Sequence, residues 1–243
     1  MYILAIDVST PYGSVALCNG RDIVMELQFG VGINHSEKLL KIIDTMLNLA
    51  SWTKDKIEAI AVSTGTGSFT GLRVGIATAK GLALGLQVPV VGVSSLKVLA
   101  WSGILSDSLI VPVIDARRGE IYASAYQRVK SKQQFVLKEL LKEAAYKPCD
   151  LTHNILQFNK PIVFVGNGFE PYQDVLLEKL KGKIELLDGD RRFPHASNLA
   201  AIALHRMLAG DYDNLDSLSP NYIRRSDAEI GFVQTYPDKA IKR

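Results

Sequence analysis

The sequence has few of the features that mark secreted, membrane-spanning or metal-binding proteins. Its 243 residues include only two cysteines, Cys18 and Cys149, which cannot form a disulfide framework and lack zinc-site spacing. It has no apolar run of about eighteen residues, so we expect no membrane-spanning helix and no membrane partner. The first residues also lack a basic leader followed by a small-residue cleavage site. We therefore expect a cytoplasmic protein.

A strong excess of one charge is also missing. The chain has 28 basic and 25 acidic side chains, which give a net charge of +3. The basic pairs at 117–118, 191–192 and 224–225 are scattered, whereas a dedicated nucleic-acid binder usually carries a basic stripe. We expect no autonomous binding of nucleic acid, although a site shared with a partner stays open.

The first hundred residues have the hydrophobic pattern of an α/β protein. Short apolar runs bounded by turn residues predict strands, and a period near 3.6 predicts helices. The predicted elements are strands over 2–6, 14–18 and 23–29, a helix over 36–50 that Asn34 could cap, a strand over 59–62, a helix over 71–86 and a strand over 90–93. Three adjacent strands followed by alternating helix and strand indicate an α/β fold.

The second half repeats the opening of the first. Leu109–Asp115 is an apolar strand that ends in an aspartate, as Ile3–Asp7 does, and each is followed by a glycine-containing turn and another strand. This repetition favours two duplicated subdomains, over 1–103 and 104–243, with a boundary near Gly103.

Three further elements are predicted in the second half. They are a lysine-rich helix over 130–146, an apolar strand over 161–165 and a late helix over 196–208. The late helix could pack back onto the first subdomain.

The loop from Ser63 to Thr70 joins a predicted strand to a predicted helix. Free backbone N–H groups and the helix dipole can hold an anion at such a place. The loop is not a P-loop, because no Gly-Lys-Ser/Thr closes it, and its glycines are one residue too far apart for a Rossmann fingerprint. A tight connection capped by Ser68 or Thr70 explains it slightly better than a phosphate site.

The predicted helix after this loop carries two rows of small residues at four-residue spacing. The rows are Gly71, Gly75 and Ala79, and Ala77, Gly81 and Gly85. A helical glycine costs about 0.8–1.0 kcal/mol relative to alanine, so both rows need a close neighbour. One neighbour is the sheet, and the other is either the preceding helix or a partner protein. Ile42 and Leu49 make the apolar stripe of the preceding helix wider than a sheet requires, which favours the partner.

The chain offers no self-contained catalytic constellation. Asp7 and Asp115 could serve a nucleotide-bound Mg²⁺, but Ser9 occupies the place where phosphate-binding hairpins normally carry glycine. Structural turns explain both aspartates about as well. The four histidines show no metal-ligand pairing, and no nucleophile elbow or His-Glu-x-x-His motif occurs.

Four segments resemble the TsaB (YeaZ) family closely: residues 3–10, 35–40, 63–75 and 88–96. Residues 220–224, Pro-Asn-Tyr-Ile-Arg, look like the final motif of that family. The resemblance implies an α/β actin-like ATPase (ribonuclease H-like) fold with two duplicated subdomains, related to the catalytic protein TsaD. It also implies a role, together with TsaD and the P-loop ATPase TsaE, in threonylcarbamoyl transfer to the adenosine beside the tRNA anticodon.

The resemblance further implies that this subunit has no catalytic residue and no metal. The catalytic relatives hold a metal with two histidines one helical turn apart, and the matching positions here are Ser95 and Leu99. Leucine cannot ligate a metal and a single serine hydroxyl is a poor ligand, so we expect an empty site. We expect no cofactor on this chain alone, whereas the partner complex uses ATP and a metal.

The partners implied by the resemblance are TsaD, in a heterodimer, TsaE through the complex, and tRNA only through the complex. A homodimer in isolation stays open. The expected partner interface consists of Leu39, Ile42, Ile43, Met46, Gly71, Val74, Gly75, Thr78 and Leu82. Vestigial phosphate contacts would come from Asp7, Ser9, Thr10, Gly65, Gly67 and Ser68. Candidate tRNA contacts are Arg224, Arg225, Lys239, Lys242 and Arg243.

Two other functions remain as alternatives. An autonomous ATP-dependent kinase of the sugar-kinase type would need both phosphate loops intact, and Ser9 counts against it. A metallopeptidase would need the histidine pair that Ser95 and Leu99 replace.

Overall fold

A computed structural model describes residues 1–30, 35–103, 108–131, 134–180, 184–187 and 189–223. The strands are Tyr2–Asp7 (β1), Gly13–Asn19 (β2), Asp22–Phe29 (β3), Ala59–Gly65 (β4), Val90–Ser94 (β5), Leu109–Arg117 (β6), Glu120–Ser131 (β7), Gln134–Tyr146 (β8), Ile162–Val165 (β9) and Ile184–Leu187 (β10). The helices are His35–Leu49 (α1), Phe69–Leu86 (α2), Ser95–Ser102 (α3), Pro148–Leu156 (α4), Gln173–Leu180 (α5) and Ala196–Leu208 (α6). Among these described residues, no helix is long and apolar enough to span a bilayer.

The strands form two five-stranded sheets with the same topology. The first sheet has the order β3-β2-β1-β4-β5 and the second, read from the other end, has β8-β7-β6-β9-β10. In each sheet, the first strand pairs antiparallel with the second and parallel with the fourth. A three-strand meander extended by two parallel strands is the ribonuclease H-like arrangement. Its repetition gives the duplicated α/β architecture of actin-like ATPases.

The first sheet is covered on both faces, because side chains alternate along its central strand. Leu4 and Ile6 face a core that α1 and α2 close, whereas Ile3 and Ala5 face a core that α6 closes. The covering helix α6 therefore comes from the second half of the chain and packs on the first sheet.

The second sheet is covered in the same way. Leu109, Val111 and Val113 pack with residues of α4 and α5, and Ile110 and Ile114 pack with residues of α3. The helix α3 therefore lies directly against the second sheet, although it follows the last strand of the first.

The predicted helix over 130–146 is wrong. Residues 120–131 and 134–146 form two long antiparallel strands, in which Lys130 pairs with Phe135 and Val129 with Val136. The lysines and glutamates favour a helix locally, but pairing with β7 and the packing of Leu140 and Leu141 on the second core favour a strand. Strand preference depends on such neighbours more than on composition.

The other predicted elements are confirmed to within a few residues, and the predicted late helix matches α6. The helices α3, α4 and α5 and the strand β10 were not among the predicted elements. The predicted cap Asn34 lies outside the described residues. The boundary near Gly103 stays a prediction.

Candidate functional site

The aspartate of the first hairpin is a buried hydrogen-bond acceptor. The Asp7 carboxylate accepts from the Ser9 backbone N–H at 3.0 Å and from the Ser9 hydroxyl at 2.7 Å, and the Ser63 hydroxyl donates to its other oxygen. Burial raises the pKa of Asp7, and the hydrogen bonds from Ser63 and Ser9 oppose that rise. The side chain therefore ties the end of β1 to β4 and to its own turn.

The glycine-rich loop packs directly on this hairpin. The Ser68 N–H donates to the Ser9 carbonyl at 2.6 Å, and a Cβ at Gly67 would overlap that carbonyl. The next residues are equally close, because a Cβ at Gly71 would overlap the carbonyl oxygen of Val8. The predicted phosphate contacts therefore lie together, but several of their polar groups are bonded to one another.

The loop also begins α2 in the predicted manner. The Ser68 hydroxyl accepts from the Gly71 N–H at 3.2 Å, which satisfies one of the free donors at the helix start. Thr10 is buried in the hairpin, and its hydroxyl donates to the Tyr12 carbonyl at 2.7 Å.

The segment after α6 covers the outside of the same loop. The Asn221 N–H donates to the Thr64 carbonyl at 2.7 Å, close to Gly65. Tyr222 stacks on Phe69 with ring centroids 4.8 Å apart, and the Arg73 Nε donates to its hydroxyl at 2.8 Å. Sequence reasoning missed these contacts. The only sequence feature that pointed to this segment was the similarity of residues 220–224 to the final motif of the family named above.

The two positions where the resemblance places metal ligands lie in α3 and are buried. Leu99 packs in an apolar cluster with Ile110, Val163 and Val165. Within the described part of the chain, the Ser95 hydroxyl has no hydrogen-bond partner. No three His, Cys, Asp or Glu side chains in that part are grouped so that they could hold a metal ion.

Part of the predicted partner interface lies inside the protein itself. Five of the predicted interface residues are buried in this monomer: Leu39, Ile43, Met46, Gly71 and Gly75. A Cβ at Gly75 would lie 2.7 Å from the Cγ2 of Val8, so this row of small residues faces the hairpin rather than a partner. These five residues cannot form a contact surface without rearrangement. Ile42, Val74, Thr78 and Leu82 are half-buried and stay in the predicted interface.

The second row of small residues on α2 is exposed. Ala77, Gly81 and Gly85 lie at the surface, and a Cβ at either glycine would meet no atom of the described residues within 4 Å. Leu84 lies on the same side of the helix and is 72% exposed. We call Ala77, Gly81, Leu84 and Gly85 the outer α2 row. Of the two rows that the sequence identified, this one is uncovered within the described residues.

A polar cluster that sequence reasoning missed holds α6 on the first sheet. Glu26 in β3 accepts from the Ser14 hydroxyl at 2.9 Å and from the Ser197 N–H at 3.0 Å. Its burial acts to raise its pKa, but hydrogen bonds from His195, Ser197 and Ser14 outweigh burial and lower the pKa to about 2. The carboxylate therefore caps the start of α6 from a strand 171 residues away in the chain, a separation that no local pattern reports.

A second half-buried carboxylate ties the first sheet to the second. The hydroxyls of Ser94 and Tyr126 both donate to the same Glu143 oxygen, the latter at 2.6 Å. Burial raises the pKa of Glu143, and the Ser94 and Tyr126 hydrogen bonds oppose that rise. Sequence reasoning placed Glu143 in the lysine-rich helix predicted over 130–146 and so missed this link.

The second hairpin has a more open aspartate. The Asp115 carboxylate accepts from the Arg117 N–H at 2.8 Å and from the Tyr172 hydroxyl at 3.2 Å, and it is only half-buried. The candidate tRNA contacts Arg224, Arg225, Lys239, Lys242 and Arg243 lie outside the described residues.

The chain is similar to known proteins over most of its length. Residues 30–232 match the family described as "TsaD: tRNA N6-adenosine threonylcarbamoyltransferase". The "tRNA threonylcarbamoyladenosine biosynthesis protein TsaB" of Escherichia coli (strain K12) is 32% identical, over 94% of this chain and 96% of that protein. The protein of the same name from Bacillus subtilis (strain 168) is 28% identical, over 97% and 99%.

Two solved structures are also similar. "YeaZ from Pseudomonas aeruginosa" superposes with a TM-score of 0.72 at 26% identity and covers 91% of this chain and 99% of that one. A "protein with similarity to peptidase YEAZ from Pseudomonas aeruginosa" superposes with a TM-score of 0.76 at 27% identity, over 92% and 99%.

Proposed function

The chain belongs to the TsaB (YeaZ) family and has a role in tRNA threonylcarbamoyladenosine biosynthesis. From this premise we propose that it acts there as a non-catalytic subunit that binds TsaD. TsaE joins through that complex, and tRNA is bound only through it. ATP and the metal belong to the partner complex. The chain itself supplies a folded surface that holds TsaD in its active arrangement.

The observation that carries this proposal is the exposed outer α2 row. Gly81 costs about 0.8–1.0 kcal/mol relative to alanine in the helix interior, and Gly85 lies in the last turn. Among the described residues, no atom lies within 4 Å of a Cβ built at either glycine. A row of small side chains allows the backbone of a second helix to approach closely. Leu84 on α2 and Leu49 on α1, 72% and 68% exposed, would add apolar area to such a contact.

The half-buried residues extend this surface towards α1. Ile42 and Leu49 are seven residues apart and so share one side of α1. Val74, Thr78 and Leu82 share one side of α2. A pair of partner helices could therefore pack on α1 and α2 together.

The environment of the former ligand positions supports a non-catalytic role. Leu99 offers only hydrocarbon at the place where the catalytic relatives use an imidazole, and its neighbours are apolar. Ser95 alone could provide one weak oxygen ligand. Such a donor set does not fit a bound catalytic metal.

The geometry of the first hairpin argues against an autonomous kinase. That activity needs a carboxylate free to hold Mg²⁺ beside a phosphate, whereas the Asp7 carboxylate is buried and bonded to Ser9 and Ser63. It also needs loop N–H groups aimed at the phosphate, whereas the Ser68 N–H already donates to Ser9.

Reconstituted modification of tRNA tests the proposed role. TsaD, TsaE, threonylcarbamoyl-adenylate and unmodified tRNA are combined with and without this chain, and the modified adenosine is measured by mass spectrometry. We expect modification only when the chain is present. Equal modification in both arms would contradict the proposal.

The behaviour of the chain alone is a second test. We expect it to show no metal-dependent hydrolysis and to retain no stoichiometric zinc or iron after dialysis. The same surface could pair two copies of this chain, so its mass in solution is measured before TsaD is added. A homodimer that TsaD displaces would agree with a shared surface.

A further inference from the structure

A cleft of about 410 Å³ lies between the β2–β3 turn, α6 and the end of the β7–β8 hairpin. It adjoins a second cavity of about 240 Å³, and the two share Trp101, Arg128 and Phe135 in their walls. The combined space lies within the usual size range of small-ligand sites. Neither Asp7 nor the outer α2 row lines it.

Aromatic rings form the shared wall of these cavities. Trp101 is half-buried and Phe135 is 48% exposed, so both rings present surface to the cleft. The guanidinium carbon of Arg128 lies 3.4 Å from the centroid of the Phe135 ring. Nucleobases stack on aromatic rings and on arginine planes of this kind.

The charge in the cleft is positive. Arg21 and Arg128 line it, and no aspartate or glutamate does among the described residues. Elsewhere in the protein the guanidinium of Arg192 pairs with Glu170 and that of Arg206 with Asp213, whereas neither cleft arginine has a carboxylate partner in the described ranges. Uncompensated guanidinium groups favour a bound phosphate, which they can contact through two parallel hydrogen bonds.

One carboxylate, that of Glu26, lies behind the cleft and does not line it. Ser197 lines the cleft, and its hydroxyl donates to Glu26 at 2.7 Å on the other side. Glu26 also accepts from Ser14 and lies 3.5 Å from the His195 Nδ1. Glu26 stays ionised, but its donors lie on β2 and at the start of α6, so the arginines remain the charged groups that line the cleft.

We propose that this cleft binds a phosphorylated nucleoside, with the base against Trp101 and Phe135 and the phosphate beside Arg21 and Arg128. The ligand is either a free mononucleotide or one nucleotide of an RNA strand, since both present a base and a phosphate at the same spacing. This inference goes beyond the proposed subunit role and does not depend on it, because the cleft belongs to this chain alone.

Tryptophan fluorescence gives a direct test, because the chain has two tryptophans and only Trp101 lines the cleft. AMP, adenosine, inorganic phosphate and a single-stranded RNA octamer are titrated separately into a Trp52→Phe variant, with calorimetry on the wild-type chain as a check on the substitution. We expect AMP to quench Trp101 saturably and with submillimolar affinity, and adenosine and phosphate to bind at least about tenfold more weakly.

Substitutions of the cleft arginines test whether AMP binds in this cleft. We expect Arg128→Gln and Arg21→Gln each to weaken binding of AMP by about tenfold or more, and the matched change Arg191→Gln, at an exposed arginine outside the cleft, to leave it unchanged. An octamer that binds much more tightly than AMP, with the same dependence on Arg128, would identify RNA as the source of the nucleotide. Equal affinity for the two would identify a free nucleotide.

The inference is overturned if neither AMP nor the octamer shows saturable binding up to about 5 mM nucleotide. It is also overturned if binding is unaffected by both arginine variants. Neither result bears on tRNA modification in the reconstituted system, so this proposal and the subunit role can fail separately.

Discussion

The two hairpins that open the two sheets have the same topology but different tips. In both halves the chain that follows the fourth strand approaches the first hairpin strand or its turn closely. A Cβ at Gly71, in the first turn of α2, would overlap the carbonyl of Val8, and one at Gly166, directly after β9, would overlap that of Val113 in β6. Beyond that shared contact they diverge. Asp7 is fully buried, whereas Asp115 is half-buried beside the exposed residues 117–119.

The difference lies in the positions that the sequence predicted as vestigial phosphate contacts, which in the first half are used for internal hydrogen bonds. Ser9, Ser63 and Ser68 engage the first hairpin in internal hydrogen bonds, and residues 221–222 cover the loop from outside. The second hairpin has no such serines and keeps an open turn. Both halves thus keep the duplicated architecture. In the first half, these polar contacts connect the hairpin to the glycine-rich loop. This supports a structural role for the first hairpin.

The largest expected effect is a difference in the free energy of unfolding between two glycine-to-alanine variants, one beside the first hairpin and one in the turn of the second. Gly67→Ala should lower the free energy of unfolding by about 3 kcal/mol or more, because its Cβ would overlap the Ser9 carbonyl and its φ is 153°. Gly119→Ala should cost only about 1 kcal/mol, because its φ of 79° is strained but the space is open. Urea denaturation of both variants measures the difference. Equal losses would remove the contrast between the tips.

The next effect concerns the carboxylates on the third strand of each sheet. Glu26→Gln should cost about 2 kcal/mol at pH 7, after allowance for partial solvent screening, because the pKa of Glu26 is lowered to about 2. The wild-type carboxylate contributes this stability fully above its unfolded pKa and loses it as the pH falls towards 2, so the cost of the variant should shrink in acid.

Glu143→Gln is the matched change and should behave in the opposite way. Burial raises the pKa of Glu143, so the stability that its protonated form contributes is lost as the pH rises through that raised value. Glutamine resembles the protonated form, so the variant should lose less at pH 7 than at pH 4. Unfolding curves between pH 3 and 8 compare the two, and parallel pH profiles would contradict this account.

A smaller effect is expected where the segment after α6 covers the loop. Tyr222→Ala removes the stacking on Phe69 and the hydrogen bond from Arg73, and should cost about 1 kcal/mol. Tyr172→Phe, beside the second hairpin, removes one hydrogen bond to Asp115 and should cost about half as much. Thermal denaturation resolves the two. If the Tyr222→Ala variant had wild-type thermal stability, the segment after α6 would not stabilise the glycine-rich loop.

Sequence patterns predicted the first sheet well because its elements are local. Buried strands such as Tyr2–Asp7 read as apolar runs, and the small residues and the Ser68 cap marked α2. The sequence patterns failed to predict structure where contacts between residues far apart in the chain determine it. The region over 130–146 became a strand through pairing with β7, and the Glu26 cap of α6 joins residues far apart in the chain.

The candidate surface was predicted in part for the same reason. Spacing alone identified two rows of small residues on α2 but could not tell which one faces the hairpin, because the position of Val8 over Gly71 and Gly75 is a tertiary contact. The row that stays open is Ala77, Gly81 and Gly85. Gly71 and Gly75 have their close neighbour in the hairpin of the same chain, and a neighbour for the outer α2 row stays a prediction.

The affinity for TsaD of a Gly81→Leu variant tests the central claim most directly. The matched control is His153→Leu, which adds a leucine to an exposed position of α4 in the second half. Because a Cβ at Gly81 meets no described atom and leucine favours a helix more than glycine does, we expect Gly81→Leu to raise the melting temperature by about 2–4 °C and His153→Leu to leave it unchanged. We expect Gly81→Leu to weaken TsaD binding by about tenfold or more in calorimetry and His153→Leu to leave it unchanged. Wild-type affinity in the Gly81→Leu variant would contradict the account.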